Sequence, residues 1–305
     1  MMDPLPSWND GWAKAAILDF VERATRERSP DFVPVPERIA VFDHDGTLWV
    51  ERPVQAQIYF TLDRLAGIAA RDPALRARQP YKAFLERDLA TIAGFSRREA
   101  FEVAFTTHSG LTTAEFLDAA SSWFKSAKHP ILGRLFTECV YLPQLELLDY
   151  LRAHRFKPFV VTGGGVEFVR SIAEQLYGIP PEQVVGSSNK TRVESGPGGP
   201  AIFALPEVRS FDDREEKVVN IELHIGRRPR LAFGNSDGDL RMLQYTGRGG
   251  GARLRLLLHH DDAAREFSYD REFRLSPLDE ALRMAPAEGF TVVSIKNDWK
   301  AVFPA

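Results

Sequence analysis

Apolar and polar positions repeat with different periods along the chain, and each period predicts a different element. From Trp12 to Arg26 the apolar side chains recur at helical spacing, which predicts an amphipathic helix. The apolar run from Ile39 to Phe42 is short, and it predicts a buried strand instead. Acidic residues follow this strand directly, so its end is a candidate site.

From about Val54 to Lys128 the pattern is that of several helices in succession, with no strand pattern between them. Ser96 and Thr112 each stand three residues before a glutamate, which is the spacing of a capping box at a helix start. We therefore predict an all-helical domain, residues 54–133, inserted into an α/β core.

After this segment, helix and strand patterns alternate, as they do in a parallel α/β sheet. The predicted elements are helix Leu145–His154, strand Pro158–Val161, helix Val166–Tyr177, strand Val184–Gly186, helix Lys217–Ile225 and strands Arg230–Phe233, Leu254–Leu258 and Thr291–Ile295. Between residues 187 and 213, a segment rich in glycine and proline separates two short strands and predicts a small β-hairpin. The fold predicted is a Rossmann-like parallel sheet whose core comprises residues 1–53 and 134–305.

Length and charge narrow the classes of function. With 305 residues, 44% of them hydrophobic, the chain is long enough for a main domain and an insert. The 39 basic and 42 acidic residues leave a net charge of only −3, so no global field attracts nucleic acid or an acidic membrane. A small-molecule ligand fits this balance better.

The cysteine content and the hydropathy indicate in which cellular compartment the protein is expected. Cys139 is the only cysteine of the sequence, which excludes an intramolecular disulfide framework and a thiolate zinc cluster. No segment approaches the roughly 20 apolar residues of a membrane span, and the first residues lack the pattern of a signal peptide. We therefore expect a cytoplasmic protein without a membrane partner.

Two carboxylates, Asp43 and Asp45, stand just beyond the first predicted strand, where open α/β sheets bind their ligands. A carboxylate at this place can attack phosphorus, and a second one can protonate the leaving group. Gly46 allows a sharp turn, and Thr47 can hydrogen-bond the adjacent loop. An acidic turn that only caps a helix is the alternative interpretation.

The segment Asp43-His44-Asp45-Gly46-Thr47-Leu48 after an apolar strand resembles the first motif of the haloacid dehalogenase superfamily. Most members are phosphatases that form an aspartyl-phosphate and use Mg²⁺, and an aspartate at the position of Asp45 distinguishes them from the dehalogenases. The resemblance covers about residues 38–48 and 135–258. The helical insert lies where the phosphoserine-phosphatase-like branch carries its cap domain.

The resemblance implies three further motifs. Thr162 and Gly163, after the second core strand, would bind phosphate oxygens, and Lys217 would neutralise the charge of the nucleophile and the phosphate, with Arg214 as a possible substitute. In the acidic loop after the strand Arg230–Phe233, the family usually has two aspartates; here Asn235 takes the first position and Asp239 the second. Mg²⁺ would then be held by Asp43, the Asp45 carbonyl and Asn235, with Asp239 as the other candidate ligand.

Four residues in or just before the helical insert are candidates for choosing the substrate. Glu51 and Arg52 follow the nucleophile closely and can face the phosphate, although a solvated charge pair is an equal alternative. Tyr59 and His108 are further candidates. His259 and His260 follow the predicted strand Leu254–Leu258. Adjacent side chains on an extended segment point to opposite sides, so the two histidines are not expected to bind one zinc ion together.

The sequence therefore predicts a Mg²⁺-dependent hydrolase that removes phosphate from a small phosphomonoester through an aspartyl-phosphate on Asp43. Two alternatives stay open. A phosphotransferase on the same fold would pass the phosphoryl group to an acceptor alcohol, and a binding protein would retain the fold without catalysis. The natural substrate and the oligomeric state are not predicted.

Overall fold

A computed structural model describes residues 3–304, apart from the side chain of Arg97. Its centre is an eight-stranded sheet. The strands are β1 (Ile39–Phe42), β2 (Lys157–Gly165), β3 (Val184–Gly196), β4 (Gly199–Ser210), β5 (Leu231–Gly234), β6 (Leu254–Asp261), β7 (Ser268–Tyr269) and β8 (Thr291–Ser294).

The strand order is β4-β3-β2-β1-β5-β6-β7, and β8 also pairs with β6. The pairs of β1 with β2 and β5, of β2 with β3, and of β6 with β5 and β8 are parallel. Only β4 and β7 pair antiparallel with their neighbours. The predicted Rossmann-like parallel sheet is confirmed, and its carboxyl ends meet at one edge beside β1.

Twelve helices surround the sheet in the described part of the chain. They are α1 (Trp12–Thr25), α2 (Ala56–Arg71), α3 (Tyr81–Leu85), α4 (Leu89–Gly94), α5 (Arg97–His108), α6 (Thr113–Phe124), α7 (Leu142–Ala153), α8 (Val166–Tyr177), α9 (Glu215–His224), α10 (Leu240–Thr246), α11 (Glu280–Glu288) and α12 (Ile295–Asp298). Within residues 3–304, none of them combines the length and hydropathy needed to cross a bilayer.

The buried strand β1 shows how the sheet is covered on both faces. Ala40 and Phe42 belong to one hydrophobic cluster, whereas Ile39 and Val41 belong to another. Successive side chains of a strand point to opposite faces, so each cluster fills one side of the sheet. This double burial explains why β1 has no polar position.

Helices α2 to α6 lie between β1 and β2 in the chain, as the helical pattern predicts. The capping boxes at Ser96 and Thr112 are both present at helix starts. Phe60 and Phe116 of this insert share a hydrophobic cluster with Phe42 of the sheet. The insert is thus fixed to the core by aromatic packing, while the division at residues 54–133 stays a prediction.

The hairpin is longer than the sequence pattern indicates. The predicted strands Val184–Gly186 and Thr191–Glu194 are parts of one strand, β3, which begins in the parallel sheet and continues into an antiparallel pair with β4. The pairing register shifts between Ser188 and Thr191. This irregularity marks the passage from the buried to the exposed half of β3.

Candidate active site

Polar side chains from four separate segments meet at the carboxyl edge of the sheet. Asp43 directly follows β1, Thr162 lies near the end of β2, Asn235 directly follows β5, and Lys217 lies in the first turn of α9. At most 1% of the surface of each of these residues is exposed. The first, second and fourth motif positions thus follow the strand ends, as open α/β sheets arrange their sites.

Lys217 joins two of the carboxylates. Its Nζ lies 2.6 Å from Asp43 Oδ1, 2.6 Å from Asp239 Oδ1 and 2.9 Å from the carbonyl oxygen of Val161. All three bonds are buried, so the ammonium group is fully desolvated and offset by its two acidic neighbours. The predicted lysine, and not Arg214, therefore contacts Asp43.

Asp45 is held by a side chain that the sequence reasoning missed. Trp49 Nε1 donates a hydrogen bond of 2.8 Å to Asp45 Oδ1. The other oxygen, Oδ2, lies on the side of the glycine loop, 3.6 Å from the place where a Cβ on Gly164 would stand. One oxygen is thus anchored, and the other faces Thr162 and its loop.

Gly46 makes the turn that brings these groups together. Its φ of 79° lies in the left-handed region, and its amide donates 2.9 Å to the carbonyl of Trp49. A Cβ at this position would collide with Asn235 and Glu51. Only glycine fits both the conformation and the space.

His44, between the two aspartates in sequence, is buried in the core, with its Nδ1 3.9 Å from Asp45 Oδ1. Its ring packs 4.5 Å from the ring of Trp49, and its Nε2 lies 3.1 Å from the hydroxyl of Tyr177. Burial, and secondarily the charge of Lys217, lower the pKa of His44 to about 3. A neutral His44 therefore supports the Trp49 ring and is not a proton donor at neutral pH.

The loop Gly163-Gly164-Gly165 closes the site on the side of β2. Gly164 N donates 3.0 Å to Thr162 Oγ1, and Ser187 Oγ donates 2.8 Å to the carbonyl of Gly163. Gly165 N donates 2.8 Å to Gln57 Oε1. The loop is thus fixed from β2, from β3 and from the helical insert.

Gln57, which the sequence reasoning did not name, brings the insert to the site. A Cβ on Gly164 would stand 3.3 Å from Thr162 Oγ1, 3.5 Å from Gln57 Oε1 and 3.6 Å from Asp45 Oδ2. These three oxygens therefore surround one small region. A signal was present, because Gln57 and Thr61 are two buried polar residues four positions apart on the same face of α2.

Asn235 is bonded on both sides of its amide. Thr47 Oγ1 donates 3.0 Å to Asn235 Oδ1, and Asn235 Nδ2 donates 2.7 Å to Glu51 Oε1. A carboxylate only accepts hydrogen bonds, so the nitrogen of the amide must face Glu51. The predicted residues Thr47 and Glu51 therefore both lie against Asn235.

Asp239 is occupied within the protein. Its Oδ1 accepts from Lys217, and its Oδ2 accepts from the amides of Asn235 and Ser236, each at 3.0 Å. Asp237, in the same loop, points elsewhere and accepts from the amides of Asp279 and Ala281. Asp239 thus orients the loop and Lys217, and its role as a metal ligand stays a prediction.

The other predicted specificity residues lie at different depths. His108 Nε2 is 3.3 Å from Gln57 Nε2, so it stands behind Gln57. The guanidinium of Arg52 lies 4.6 Å from the ring centroid of Phe273, and the ring of Tyr59 packs 5.5 Å from that of Phe136. Arg52 and Tyr59 contact aromatic side chains instead of the phosphate loop.

The two adjacent histidines point in different directions. His259 Nε2 lies 2.8 Å from Asp270 Oδ1, whereas His260 Nε2 lies 2.8 Å from the carbonyl oxygen of Gly46. Burial disfavours the charged form of His260, but the Glu266 carboxylate 3.1 Å away offsets this and raises the pKa of His260. His260 thus supports the turn that carries Asp45.

Asp212 is a buried carboxyl that lies near Lys217 but outside the predicted set. Its Oδ1 accepts 2.9 Å from Asn220 Nδ2, and its amide donates 2.8 Å to Ser187 Oγ. Burial raises the pKa of Asp212 to about 7, although Lys217 and Asn220 act in the opposite direction. This group therefore titrates near neutral pH.

The oxygen donors at the edge of the sheet are of the type that Mg²⁺ prefers. Asp43 supplies a carboxylate, Asp45 a carbonyl and Asn235 an amide oxygen, and Mg²⁺ usually completes its shell with water. Within residues 3–304, no group of three or more histidine, cysteine or acidic side chains could hold a metal ion alone. The donor set fits a hard cation that keeps several waters, and not zinc.

Comparison with known proteins completes the description. The model of the haloacid dehalogenase-like hydrolase family matches residues 40–244. A conserved, functionally unknown protein from Anaerococcus prevotii is 16% identical with a TM-score of 0.60, and the match covers 96% of this chain and 94% of that one. A protein of unknown function from Bordetella pertussis is 16% identical with a TM-score of 0.53, over 84% of this chain and 98% of that one. Both likenesses concern the fold alone, and no curated protein matches significantly.

Proposed function

The chain belongs to the haloacid dehalogenase-like hydrolase family, and we propose that it is a phosphatase that hydrolyses a small phosphomonoester through an aspartyl-phosphate on Asp43. The observation that carries the proposal is the buried contact of Lys217 with Asp43 beside Thr162 and Asp45. This arrangement gives a nucleophile, a charge partner, an acid and an oxyanion contact in one place.

Asp43 is the nucleophile of the proposed first step. Lys217, 2.6 Å away, favours the ionised carboxylate because an opposite charge nearby stabilises it. An oxygen of Asp43 forms a bond to phosphorus, and the bond from phosphorus to the ester oxygen breaks. The departing oxygen takes a proton from Asp45.

Asp45 then serves the second step. Its Oδ2 lies on the side of the phosphate loop, while Trp49 holds Oδ1 in place. After the alcohol leaves, Asp45 is ionised and removes a proton from water, which attacks the phosphorus of the aspartyl-phosphate. The bond from Asp43 to phosphorus breaks as the water oxygen attacks, and inorganic phosphate leaves. Asp43 is then a free carboxylate again, and Asp45 keeps the proton taken from water.

The phosphate would be bound by the Thr162 hydroxyl and by the amide of Gly163, while Lys217, whose three N–H groups donate to Asp43, Asp239 and Val161, would supply positive charge beside it. The next two amides, of Gly164 and Gly165, already donate to Thr162 and Gln57. The first amide of the loop is therefore the one we assign to the phosphate. Such fixed donors stabilise the charge that accumulates on the equatorial oxygens.

Asp43, the Asp45 carbonyl and Asn235 would hold Mg²⁺, as their oxygen donors permit. The ion would supply positive charge against the phosphate when bound. Asp239 contributes indirectly in this proposal, because its oxygens hold Lys217 and the loop of Asn235. The proposed substrate is a small phosphomonoester, and we propose a cytoplasmic location from the cysteine content.

The test is phosphate release from p-nitrophenyl phosphate and a panel of small phosphomonoesters, with Mg²⁺ and with EDTA. We expect Mg²⁺-dependent release by the wild type and by Asp237→Asn, whose side chain faces residues 279–281. Asp43→Asn should fold and release none. Equal release by Asp43→Asn contradicts the proposal, and transfer of the phosphate to added glycerol in place of its release makes the protein a phosphotransferase.

A further inference from the structure

Behind Asn235 lies a buried carboxylate, that of Glu51, with none of its surface exposed. Its Oε1 accepts 2.7 Å from Asn235 Nδ2 and 2.9 Å from the hydroxyl of Tyr269, and its Oε2 accepts 3.1 Å from Gln55 Nε2. Burying a carboxylate is costly unless donors surround it, and here three neutral donors do so. The fold thus sustains an anion directly behind a proposed metal ligand.

The contact between Glu51 and Asn235 is specific in its geometry. Gly46 passes so close that a Cβ there would collide with both side chains. Because Glu51 can only accept, it fixes Asn235 with its nitrogen toward Glu51 and its oxygen on the side of Thr47. Asn235 Oδ1 is therefore oriented before any cation arrives.

We infer that Glu51 is a positioning residue of the metal pocket, which orients Asn235 and supplies the negative charge that a carboxylate at position 235 would otherwise carry. The inference rests on the proposed Mg²⁺ site and goes beyond it, since Glu51 is placed outside the ligand set. Outer-shell partners of this kind orient ligands and raise metal affinity about 10- to 100-fold.

The close contact between Asn235 and Glu51 also limits how many negative charges these two positions can carry. Asn235→Asp alone would place two carboxylates at the 2.7 Å spacing that the amide and Glu51 now share, and like charges at this distance repel. One negative charge fits the pair, at either position. The double variant Glu51→Gln/Asn235→Asp moves the negative charge from position 51 to position 235, so the pair again carries one negative charge.

The experiment is Mg²⁺ titration of the metal-free protein by isothermal calorimetry, without substrate. Glu51→Gln should weaken Mg²⁺ binding at least about tenfold. Asn235→Asp alone should tighten binding by less than about threefold, whereas the double variant should return to within about threefold of the wild type. Asp262→Asn is the control, since it neutralises a buried carboxylate that bonds Arg265 but not Asn235, and it should change affinity less than about threefold.

Urea unfolding without Mg²⁺ shows which variants are folded. The inference is overturned if folded Glu51→Gln binds Mg²⁺ with the affinity of the wild type. It is also overturned if Asn235→Asp alone binds Mg²⁺ tenfold more tightly, and this second result can be obtained even if Glu51→Gln does not fold. No Mg²⁺ binding by the wild type also overturns it. Phosphate release in EDTA would then show whether the phosphatase proposal survives without the metal site.

Discussion

Replacing Lys217 with methionine tests the electrostatics of the site most severely. The change keeps much of the side-chain volume but removes a charge that is 0% exposed and contacts Asp43 and Asp239 at 2.6 Å each. Breaking a buried ion pair from one side costs about 3–5 kcal/mol, because a carboxylate stays buried without its partner. We expect Lys217→Met to lower the free energy of unfolding by about this amount.

The assay is urea unfolding in EDTA, with phosphate release measured in parallel. Lys14→Met is the control, since Lys14 is also buried but its partners Asp3 and Asp10 are 41% and 92% exposed at the side chain. Pairs with exposed partners contribute about 1 kcal/mol or less. Activity should fall at least about 100-fold in Lys217→Met and stay near wild type in Lys14→Met. Equal destabilisation by the two substitutions would refute the reasoning.

Three further predictions concern Asp45, Gln57 and Asp212. Asp45→Asn should reduce turnover of alkyl phosphates at least about tenfold more than that of aryl phosphates, because a poor leaving group needs the proton; steady-state rates on matched pairs decide this. Gln57→Glu should raise KM for phosphomonoesters about tenfold more than Gln57→Leu, because it adds a negative charge beside the glycine loop, 3.5 Å from where a Cβ on Gly164 would stand. Equal effects of the two substitutions on KM would place Gln57 outside the phosphate pocket. Burial raises the pKa of Asp212 from its usual 3.8 to about 7, so the folded state holds the proton more tightly and stability should fall as pH rises from about 4 to 7. Asp212→Asn should remove this decline, worth about 4 kcal/mol at most, and an unchanged slope in urea unfolding would contradict the assignment.

The positions at strand ends could be predicted because they depend on local pattern. An apolar run ending in Asp43, another ending in Thr162 and a third ending before Asn235 each mark a strand end, and parallel strands bring such ends to one edge. Lys217 was predicted from the family resemblance together with its place near a helix start. In the structure its Nζ lies 2.6 Å from Asp43 Oδ1, and its catalytic role stays a prediction.

The contacts between distant segments could not be read from pattern. Gln57 and Gly165 are 108 positions apart, and Glu51 and Tyr269 are 218 positions apart. A buried polar residue on an amphipathic helix shows only that a partner exists, not which one it is. For the same reason, the bond of Trp49 to Asp45 was not predicted.

Helices α10 and α11 were also missed, for local reasons. α10 is only seven residues long, which gives too few turns for a clear helical period. α11 contains Pro286 in its last turns, and proline within a pattern argues against a helix. α10 packs beside β5 and β6, and α11 packs beside β6 and β8. Neither helix supplies a side chain to the proposed chemistry.

The covalent step on Asp43 is the central claim, and peptide mass spectrometry tests it most directly. The protein is mixed with a phosphomonoester and Mg²⁺, quenched in acid during turnover and digested. The account predicts the added mass of one phosphoryl group on the peptide that contains Asp43, more of it in Asp45→Asn, where hydrolysis of the intermediate is slowed, and none in Asp43→Asn. Phosphorylation at another residue, or turnover by Asp43→Asn with no phosphorylated peptide, would contradict it.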